Sequence, residues 1–348
     1  MSDIDIRPER RIGRITLNRP SALNALSDDM CRAIDLALRQ WSRDDQIDLI
    51  MIDAIGDKAF CAGGDLMQMY ESGRAGDYGY GRRFWAEEYR MNARIAAYPK
   101  PIVVFMQGFT LGGGVGLACH ASHRITCESS QIALPECGVG LVPDVGGSYL
   151  LARAPGRLGD YLGTTGARMG PGDAIMAGFA DHFIPGALWP ALKAGLLAGD
   201  PVSTIARMAQ TPAPGPLGQN RALIDRFFGV DGLPMALDDM ARDGSDFAAR
   251  TLAALARPSP LAMAATDEIL RRLRPHPDLH EALFLEYRFT YRAMQHGDFI
   301  EGIRAAIIDK DRNPRWRHAS IALVSAAEVA QMLMPLGADE LTFEKDKP

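Results

Sequence analysis

The sequence lacks any apolar run near the roughly 20 residues that a membrane-spanning helix needs. Its best short candidate, residues 102–106, lies between Pro101 and Gln107. Residues 1–10 are rich in Asp, Ile and Arg, and they lack the apolar core of a signal peptide. We therefore predict a cytoplasmic protein with no membrane partner.

The sequence also lacks an excess of positive charge. It carries 38 Lys and Arg against 43 Asp and Glu, so its formal net charge is -5 at pH 7. A dedicated nucleic-acid binder usually presents a basic face, so this composition predicts no nucleic-acid partner. Hydrophobic residues make up 47% of the 348 residues and charged residues 23%, which excludes disorder of the whole chain and allows one large domain or two moderate ones.

Cysteine is scarce, with five residues that lie in apolar segments. An odd number in such segments predicts a reduced intracellular protein with buried thiols. Residues 119–127 hold two cysteines and two histidines, the residue types that bind zinc. Their spacing has neither paired Cys-x-x-Cys nor His-x3-His arms, so we predict no metal and no redox cofactor.

Hydrophobic periodicity predicts mixed strands and helices first and then helices alone. The helix predicted over residues 27–42 has Ser27 as its N-cap, followed by two aspartates that suit a helix start. The other predicted elements are strands over residues 11–17, 47–54, 102–106, 124–127 and 131–134, a glycine-rich loop over 108–116, a helix over 115–121 and a loop over 135–147. We infer an α/β core over residues 1–185 and a mainly helical C-terminal section over residues 186–348.

Glycine is abundant, with 35 residues gathered into clusters. None of the clusters spells the Rossmann, phosphate-loop or Gly-x-Ser-x-Gly motif. Gly63 and Gly64 instead follow a predicted strand, and residues 112–114 enter a helix. Glycine lets a backbone N–H face a ligand, so two such loops could aim two N–H groups at one oxygen and form an oxyanion hole. The alternative is that these glycines serve tight turns only.

At three separated places, in order and in register, the sequence resembles the crotonase (enoyl-CoA hydratase/isomerase) superfamily. The motifs are Asn18-Arg19-Pro20 with Ala22-Leu23-Asn24-Ala25-Leu26, Phe60-Cys61-Ala62-Gly63-Gly64-Asp65, and Leu111-Gly112-Gly113-Gly114-Val115-Gly116. Within the superfamily the chain is most similar to the 3-hydroxyisobutyryl-CoA hydrolases, through residues 87–89, 135–147 and 298–316. The resemblance implies a crotonase-like α/β fold of repeated ββα units in stacked sheets, with a helical C-terminal section and an acyl-CoA substrate.

The resemblance also implies where the substrate binds. The backbone N–H groups of Gly64 and Gly113 would form the oxyanion hole and hold the thioester oxygen. A channel for coenzyme A would run along residues 61–66. The predicted substrate-binding residues of this channel are Ala62, Asp65 and Leu66.

One of the two glutamates that a family hydratase uses is missing here. The resemblance implies that the first would stand at Gly116 and the second at Glu136. Glycine cannot transfer a proton, whereas thioester hydrolysis needs a carboxylate that attacks the thioester or activates water. We predict that Glu136 is this carboxylate, that Asp144 assists proton transfer, and that Glu88 binds the substrate hydroxyl or supports the water. Two alternatives are open: Asp144 could cap the helix that begins near Gly147, and Glu88 could be a surface charge.

The leading prediction is an enzyme that hydrolyses 3-hydroxyisobutyryl-CoA to 3-hydroxyisobutyrate and coenzyme A, a step of valine degradation. Coenzyme A belongs to the substrate, so no cofactor is predicted. Two other functions stay open: a hydratase or isomerase that acts on another acyl-CoA, and a CoA-binding protein without activity. Members of the superfamily often form trimers, so a homo-oligomer is expected, although the C-terminal section differs.

Overall fold

The computed structural model describes residues 2–198 and 201–343 of the chain. Its strands, in chain order, are β1 (Ile4–Glu9), β2 (Ile12–Leu17), β3 (Leu49–Ala54), β4 (Ala59–Cys61), β5 (Ile102–Met106), β6 (Phe109–Leu111), β7 (His123–Thr126), β8 (Gln131–Ala133) and β9 (His182–Phe183). Its helices, in chain order, are α1 (Asp28–Ser42), α2 (Leu66–Arg74), α3 (Tyr78–Ala96), α4 (Gly113–Ala118), α5 (Gly147–Arg153), α6 (Leu158–Thr165), α7 (Pro171–Met176), α8 (Trp189–Leu196), α9 (Pro201–Met208), α10 (Pro216–Phe228), α11 (Leu233–Asp243), α12 (Asp246–Leu255), α13 (Pro260–Leu273), α14 (Leu279–His296), α15 (Phe299–Ile303) and α16 (Ala326–Met332). Residues 344–348, at the end of the predicted C-terminal section, lie outside the described residues.

The strands form two sheets whose members alternate along the chain. One sheet has the order β1-β2-β3-β5-β7-β9, and the other has the order β4-β6-β8. Strands β1 and β2 pair antiparallel, and each of the other strand pairs in the described residues is parallel. Strands β3, β5 and β7 lie in the larger sheet, and each is followed by a strand of the smaller one. This alternation and the helices after β9 confirm the predicted fold of ββα units with a helical C-terminal section.

The chain divides into two compact units. The first comprises Met1–Gly64, Met91–Ala133 and Arg168–Gln219, and it holds both sheets. The second comprises Asp65–Arg90, Leu134–Ala167 and Asn220–Pro348, and it is built from helices, turns and loops. Each unit draws on several separate segments of the chain. This division does not test a boundary along the sequence, so the domain boundary predicted at residue 185 stays a prediction.

One apolar cluster of the first unit covers one face of its larger sheet. Alternate apolar side chains of β3, β5 and β7 pack there against Trp189 of α8 and Ile205 of α9. Strand β5 is buried along its whole length, as expected for a strand in the middle of a parallel sheet. Burying each large apolar side chain stabilises the fold by about 1.5–3 kcal/mol. The loops that leave these strands therefore start from a well-packed support.

Helix α1 begins where the sequence predicts. The Ser27 side chain accepts a hydrogen bond from the N–H of Met30 at 3.3 Å, and two aspartates occupy the first turn. Its buried residues recur every three or four positions and are Met30, Cys31, Ile34, Ala37, Leu38 and Trp41. Local sequence therefore sets both the start and the buried face of this helix.

Two predicted loops contain regular structure. Residues 108–116 include strand β6, and the helix that follows begins at Gly113, earlier than predicted. Residues 135–147 include a short 3-10 turn, Glu136–Val139. Strand β6 forms because it is hydrogen-bonded between β4 and β8, and that pairing outweighs its glycine-rich surroundings.

The cysteines and the helices bear on two predictions from composition. All five cysteines are buried, as predicted. Across residues 2–198 and 201–343, no helix combines the length and the apolar character that crossing a bilayer requires.

Candidate active site

The two predicted glycine loops leave the same edge of the smaller sheet. Strand β4 ends at Cys61 and leads to Gly64, and its parallel neighbour β6 ends at Leu111 and leads to Gly113. The carboxyl ends of parallel strands lie at one edge, which is where α/β folds commonly bind ligands. The fold therefore starts both loops on one side of this sheet.

Close packing and backbone conformation explain three of the glycines in these loops. A Cβ added to Gly114 would lie 2.4 Å from the main-chain oxygen of Cys61. Gly63 and Gly112 have φ values of +108° and +50°, which residues with side chains rarely adopt. Gly113 is the first residue of α4, and an N–H group at a helix start has no partner within the helix. Backbone geometry thus accounts for Gly63 and Gly112, whereas the N–H of Gly113 is not used within its helix.

The predicted channel residues follow β4 and run into the first residue of α2, and Ala62, Asp65 and Leu66 are all half-buried. The N–H of Ala62 donates to the main-chain oxygen of Leu23 at 3.0 Å. Asp65 is the N-cap of α2, and its side chain accepts from the N–H of Met67 at 3.3 Å. These bonds fix the shape of the segment, and its role in binding substrate stays a prediction.

The three predicted acidic residues are buried in the second unit. Glu88 lies on α3, Glu136 in the 3-10 turn, and Asp144 in the loop before α5. Their exposed fractions are 3%, 6% and 5%, respectively. Acidic side chains are almost never this buried unless they are paired. The alternative that Glu88 is a surface charge is therefore wrong.

Two carboxyl oxygens of these residues have no hydrogen-bond partner among the residues that the structure describes. They are Oε1 of Glu88 and Oε2 of Glu136. Leaving a buried polar atom unpaired costs about 1–3 kcal/mol. In native proteins such an atom calls for a reason, and catalysis or a bound water is a common one. Both oxygens are therefore buried acceptors without a protein partner, of the kind that a bound substrate or a water would satisfy.

The side chain of Asp144 is held by a tyrosine. The hydroxyl of Tyr89 donates to Oδ2 of Asp144 at 2.7 Å, and both side chains are buried. Helix α5 has Gly146 at its N-cap position and no side-chain cap from that residue. Asp144 gives only its main-chain oxygen to the helix start, where it accepts from the N–H of Gly147 at 2.7 Å. The alternative that the Asp144 side chain caps α5 is therefore wrong.

The main-chain N–H groups at the start of α5 instead donate hydrogen bonds to a residue from a helix distant in sequence. Glu286 of α14 is fully buried, and it accepts from the N–H of Gly146 at 2.8 Å and from the N–H of Ser148 at 3.0 Å. It also accepts from the hydroxyl of Ser148. These bonds satisfy main-chain groups that a helix start leaves open. They also fix the main chain immediately after Asp144.

Burial raises the pKa of every carboxyl group in the acid cluster, by which we mean Glu88, Glu136, Asp144 and Glu286. For Asp144 the pKa rises to about 7, because burial outweighs the lowering effect of the hydrogen bond from Tyr89. Burial and then the charge of Asp144 raise the pKa of Glu88 and of Glu136 well above the usual range. Burial raises the pKa of Glu286 to about 8. The carboxyl groups of the cluster therefore share protons at neutral pH, so one member can be ionised and act as a base while another is protonated and acts as an acid.

Cys137, next to Glu136, lacks the features of a thiol nucleophile. Its sulfur lies 3.4 Å from the main-chain oxygen of Gly163 and 3.4 Å from Oγ1 of Thr266. Burial raises the pKa of this thiol to about 12. A reactive cysteine needs a lowered pKa and some exposure, so the carboxyl groups are the better candidates for chemistry.

Sequence reasoning misses Glu286 and the hydrogen bond of Tyr89. One signal for Glu286 is present in the sequence. The buried positions of α14 include Ala282, Glu286, Phe289 and Ala293, so a glutamate lies on the apolar face of the helix. Its partners in α5 are about 140 positions away in sequence, and the pattern does not identify them.

We expect Glu286→Ala to destabilise the second unit strongly. The change leaves the N–H groups of Gly146 and Ser148 buried without an acceptor, and it opens a cavity in the core. The free energy of unfolding in urea should fall by roughly 2–4 kcal/mol. Glu281→Ala is the matched control, because Glu281 is exposed on the same helix, and it should change stability by less than about 0.5 kcal/mol. Equal losses in the two variants would contradict this account of α5.

Three comparisons relate the chain to known proteins. The 3-hydroxyisobutyryl-CoA hydrolase, mitochondrial, of Rattus norvegicus is 38% identical over 350 residues, which cover 96% of this chain and 90% of that protein. The crystal structure of an enoyl-CoA hydratase from Rhodobacter sphaeroides 2.4.1 is 57% identical, covers 98% of this chain and 100% of that one, and has a TM-score of 0.94. The crystal structure of a carnitinyl-CoA dehydratase from Mycobacterium thermoresistibile is 36% identical, covers 99% and 100%, and has a TM-score of 0.95.

A family model agrees with these similarities. The model described as enoyl-CoA hydratase/isomerase matches residues 12–333, which is most of the chain. The match includes both glycine loops and all four members of the acid cluster. The chain therefore belongs to the enoyl-CoA hydratase/isomerase family, the crotonase family.

Proposed function

We propose that the protein is an acyl-CoA thioester hydrolase that releases 3-hydroxyisobutyrate and coenzyme A from 3-hydroxyisobutyryl-CoA. The observation that carries this proposal is the buried acid cluster, in which Glu136 keeps an unpartnered carboxyl oxygen. Such a group can attack a thioester or activate water. The name of the rat relative supports the same reaction and substrate.

The proposed mechanism begins with the thioester oxygen bound by the N–H groups of Gly64 and Gly113. Two N–H donors stabilise the negative charge that develops on this oxygen in the transition state. Residues 61–66, with Ala62, Asp65 and Leu66, would line the path of coenzyme A. The unpartnered Oε1 of Glu88 would accept a hydrogen bond from the hydroxyl group of the substrate.

Glu136 then acts on the thioester carbon in one of two ways. In the covalent route its carboxylate forms a C–O bond, the C–S bond breaks, and the thiolate of coenzyme A takes a proton from Asp144. Water then hydrolyses the mixed anhydride and restores both acids. In the other route Glu136 takes a proton from water as the water oxygen bonds to the carbon. The C–S bond then breaks, and the thiolate of coenzyme A takes a proton from Asp144. The raised pKa of Asp144, about 7, suits a group that gives up and regains a proton near neutral pH.

A second candidate function is hydration of an enoyl-CoA. It is favoured by the Rhodobacter sphaeroides structure, which is described as an enoyl-CoA hydratase and is 57% identical to this chain. Gly116 argues against it, because this residue is a buried glycine in α4 at the position where the family resemblance puts a hydratase glutamate. A hydratase would then lack one of its two proton-transferring groups.

Substrate comparison tests the proposal. The wild-type protein is incubated with 3-hydroxyisobutyryl-CoA while a thiol reagent reports free coenzyme A, and separately with crotonyl-CoA while loss of the double bond is followed. Thiol release from the first substrate with no hydration of the second supports the hydrolase. Hydration without thiol release would favour the second candidate. Tight binding of coenzyme A with no turnover of either would favour a CoA-binding protein without activity.

Heavy-oxygen water separates the two routes of the hydrolase. In a single turnover the covalent route places the label in the carboxyl group of Glu136 when water attacks the anhydride at the carboxyl carbon of Glu136. The general-base route places it only in the released acid. Mass spectrometry of the peptide that contains Glu136 distinguishes them.

Three further expectations belong to the proposal. The chemistry above uses carboxyl groups and backbone donors alone, so thiol release should survive dialysis against a metal chelator. A homo-oligomer is expected from the family. The cytoplasmic location stays a prediction, and the rat relative is named as mitochondrial.

A further inference from the structure

A buried tyrosine is joined to the acid cluster but has no part in the proposed mechanism. Tyr89 has no exposed surface, and its hydroxyl donates to Oδ2 of Asp144 at 2.7 Å. A hydrogen bond to an ionised carboxylate is roughly twice as strong as one between neutral groups. The contact therefore favours the ionised form of Asp144 and fixes the direction of its side chain.

The ring of Tyr89 is itself held in place. It meets the ring of Tyr287 edge to face, with the two centroids 6.2 Å apart and the planes at 78°. The hydroxyl of Tyr287 donates elsewhere, to the main-chain oxygen of Arg82 at 3.3 Å. The two tyrosines thus share one aromatic contact, but only the hydroxyl of Tyr89 reaches Asp144.

The groups that face Asp144 come from three elements. They are Glu88 and Tyr89 on α3, Glu136 in the 3-10 turn, and Glu286 on α14. Three of these four are carboxyl groups, whose charges oppose ionisation of Asp144. Among the four, Tyr89 is the one whose side chain donates a hydrogen bond to it.

We propose that Tyr89 is a positioning residue that orients Asp144 for proton transfer and sets the pH range in which Asp144 exchanges its proton. The kinetic part of this inference rests on the proposed function. The main chain on the other side of Asp144 is fixed by Glu286 through Gly146 and Ser148. Asp144 is thus held by its side chain and by the main chain after it, as a group that moves a proton requires.

The expected effect of Tyr89→Phe has a definite sign. The change keeps the ring and removes the donor, so the ionised form of Asp144 loses its hydrogen bond and the pKa of Asp144 rises. In a plot of kcat/KM against pH, the limb that reports the pKa of Asp144 should then move to higher pH by about one pH unit. The direction is the same whether the protonated or the ionised form of Asp144 is the active one. Tyr287→Phe is the matched control, because it removes a hydroxyl from the neighbouring ring and leaves the bond to Asp144 intact.

A second readout does not depend on activity. The hydrogen bond to Asp144 is stronger when Asp144 is ionised, which is the case above its pKa of about 7. The stability that Tyr89→Phe loses in urea unfolding should therefore be larger above about pH 8 than below about pH 6. For Tyr287→Phe the loss should be the same at both pH values.

The outcomes decide between positioning and simple packing. A shifted profile and a pH-dependent loss of stability in Tyr89→Phe alone support the proposal. Superimposable profiles, or equal shifts in both variants, would overturn it. If the wild-type protein released no thiol from any acyl-CoA, the proposed function would fail. The urea-unfolding comparison would still test the role of Tyr89 in that case. If the stability that Tyr89→Phe loses did not vary with pH, the proposed effect of Tyr89 on Asp144 would be overturned.

Discussion

Glu136→Gln should abolish most thioester hydrolysis while the protein stays folded. An amide cannot take a proton from water and cannot attack the thioester as a carboxylate does. Loss of a general base or nucleophile of this kind typically lowers kcat by about 10²–10⁴-fold. The amide has nearly the same size and shape as the carboxyl group, so the packing around the turn should survive. Rates of thiol release from 3-hydroxyisobutyryl-CoA, measured for both proteins, check this result.

The same variant should be at least as stable as the wild type at alkaline pH. Burial raises the pKa of Glu136 above its value in the unfolded chain. A carboxyl group of this kind favours the folded state while it is protonated, and that contribution is lost as pH rises through the folded-state pKa. Glutamine does not titrate, so thermal unfolding of Glu136→Gln should depend less on pH than that of the wild type.

Glu128→Gln is the control for this experiment. Glu128 is an exposed glutamate outside the acid cluster, and its side chain accepts from the N–H of Gly186 at 3.0 Å. It should leave thiol release near the wild-type rate. Full activity in Glu136→Gln would contradict the role of Glu136. If Glu136→Gln does not fold, Glu136→Asp tests the role of Glu136 instead, because aspartate keeps the charge and moves it by one methylene. Glu136→Asp should retain only a small part of the activity.

Gly113→Ala should produce the second large loss. A Cβ at this position would stand beside the N–H that the proposal gives to the thioester oxygen. Alanine keeps its backbone N–H, but its Cβ should block the thioester oxygen from this donor. Losing the use of one oxyanion-hole donor costs about 2.7–4 kcal/mol of transition-state stabilisation, or about 10²–10³-fold in kcat. The fold should accept the change, because Gly113 lies in a helix and its φ is not positive. Steady-state kinetics should show the loss mainly in kcat.

Gly170→Ala is the matched control for this variant. A Cβ at Gly170 would meet nothing within 4 Å, and its φ of -74° suits alanine. Its activity should equal that of the wild type. Gly114→Ala is a poor substitute, because its Cβ would lie 2.4 Å from the main-chain oxygen of Cys61 and would disturb the loops themselves. Wild-type kcat in a folded Gly113→Ala protein would remove Gly113 from the oxyanion hole.

Features set by neighbouring residues could be predicted from the sequence. Helix α1 starts at its predicted cap, and the fully apolar run of β5 is a strand with the predicted bounds. The motifs around Gly64 and Gly113 identify the family before any coordinates are considered. Strand β6 is different, because its three residues are strand only through pairing with β4 and β8.

The acid cluster shows where sequence reasoning stops. The sequence selects Glu88, Glu136 and Asp144, but it leaves open whether Glu88 is exposed and whether Asp144 caps a helix. Those questions depend on contacts between distant segments. Tyr89 meets Asp144 across 55 positions and Glu286 meets Gly146 across 140, and no local pattern specifies such pairs. The protonation of the cluster follows from the same long-range burial.

A single-turnover assay with enzyme in excess over 3-hydroxyisobutyryl-CoA tests the central claim most directly. The wild-type protein and Glu136→Gln are mixed with the substrate side by side, and the thiol group of free coenzyme A is followed with time. We expect the wild type to release all of the coenzyme A in one rapid phase and Glu136→Gln to release almost none over the same time. Equal rates for the two proteins, or no thiol release by the wild type while it hydrates crotonyl-CoA, would contradict a hydrolase that works through Glu136.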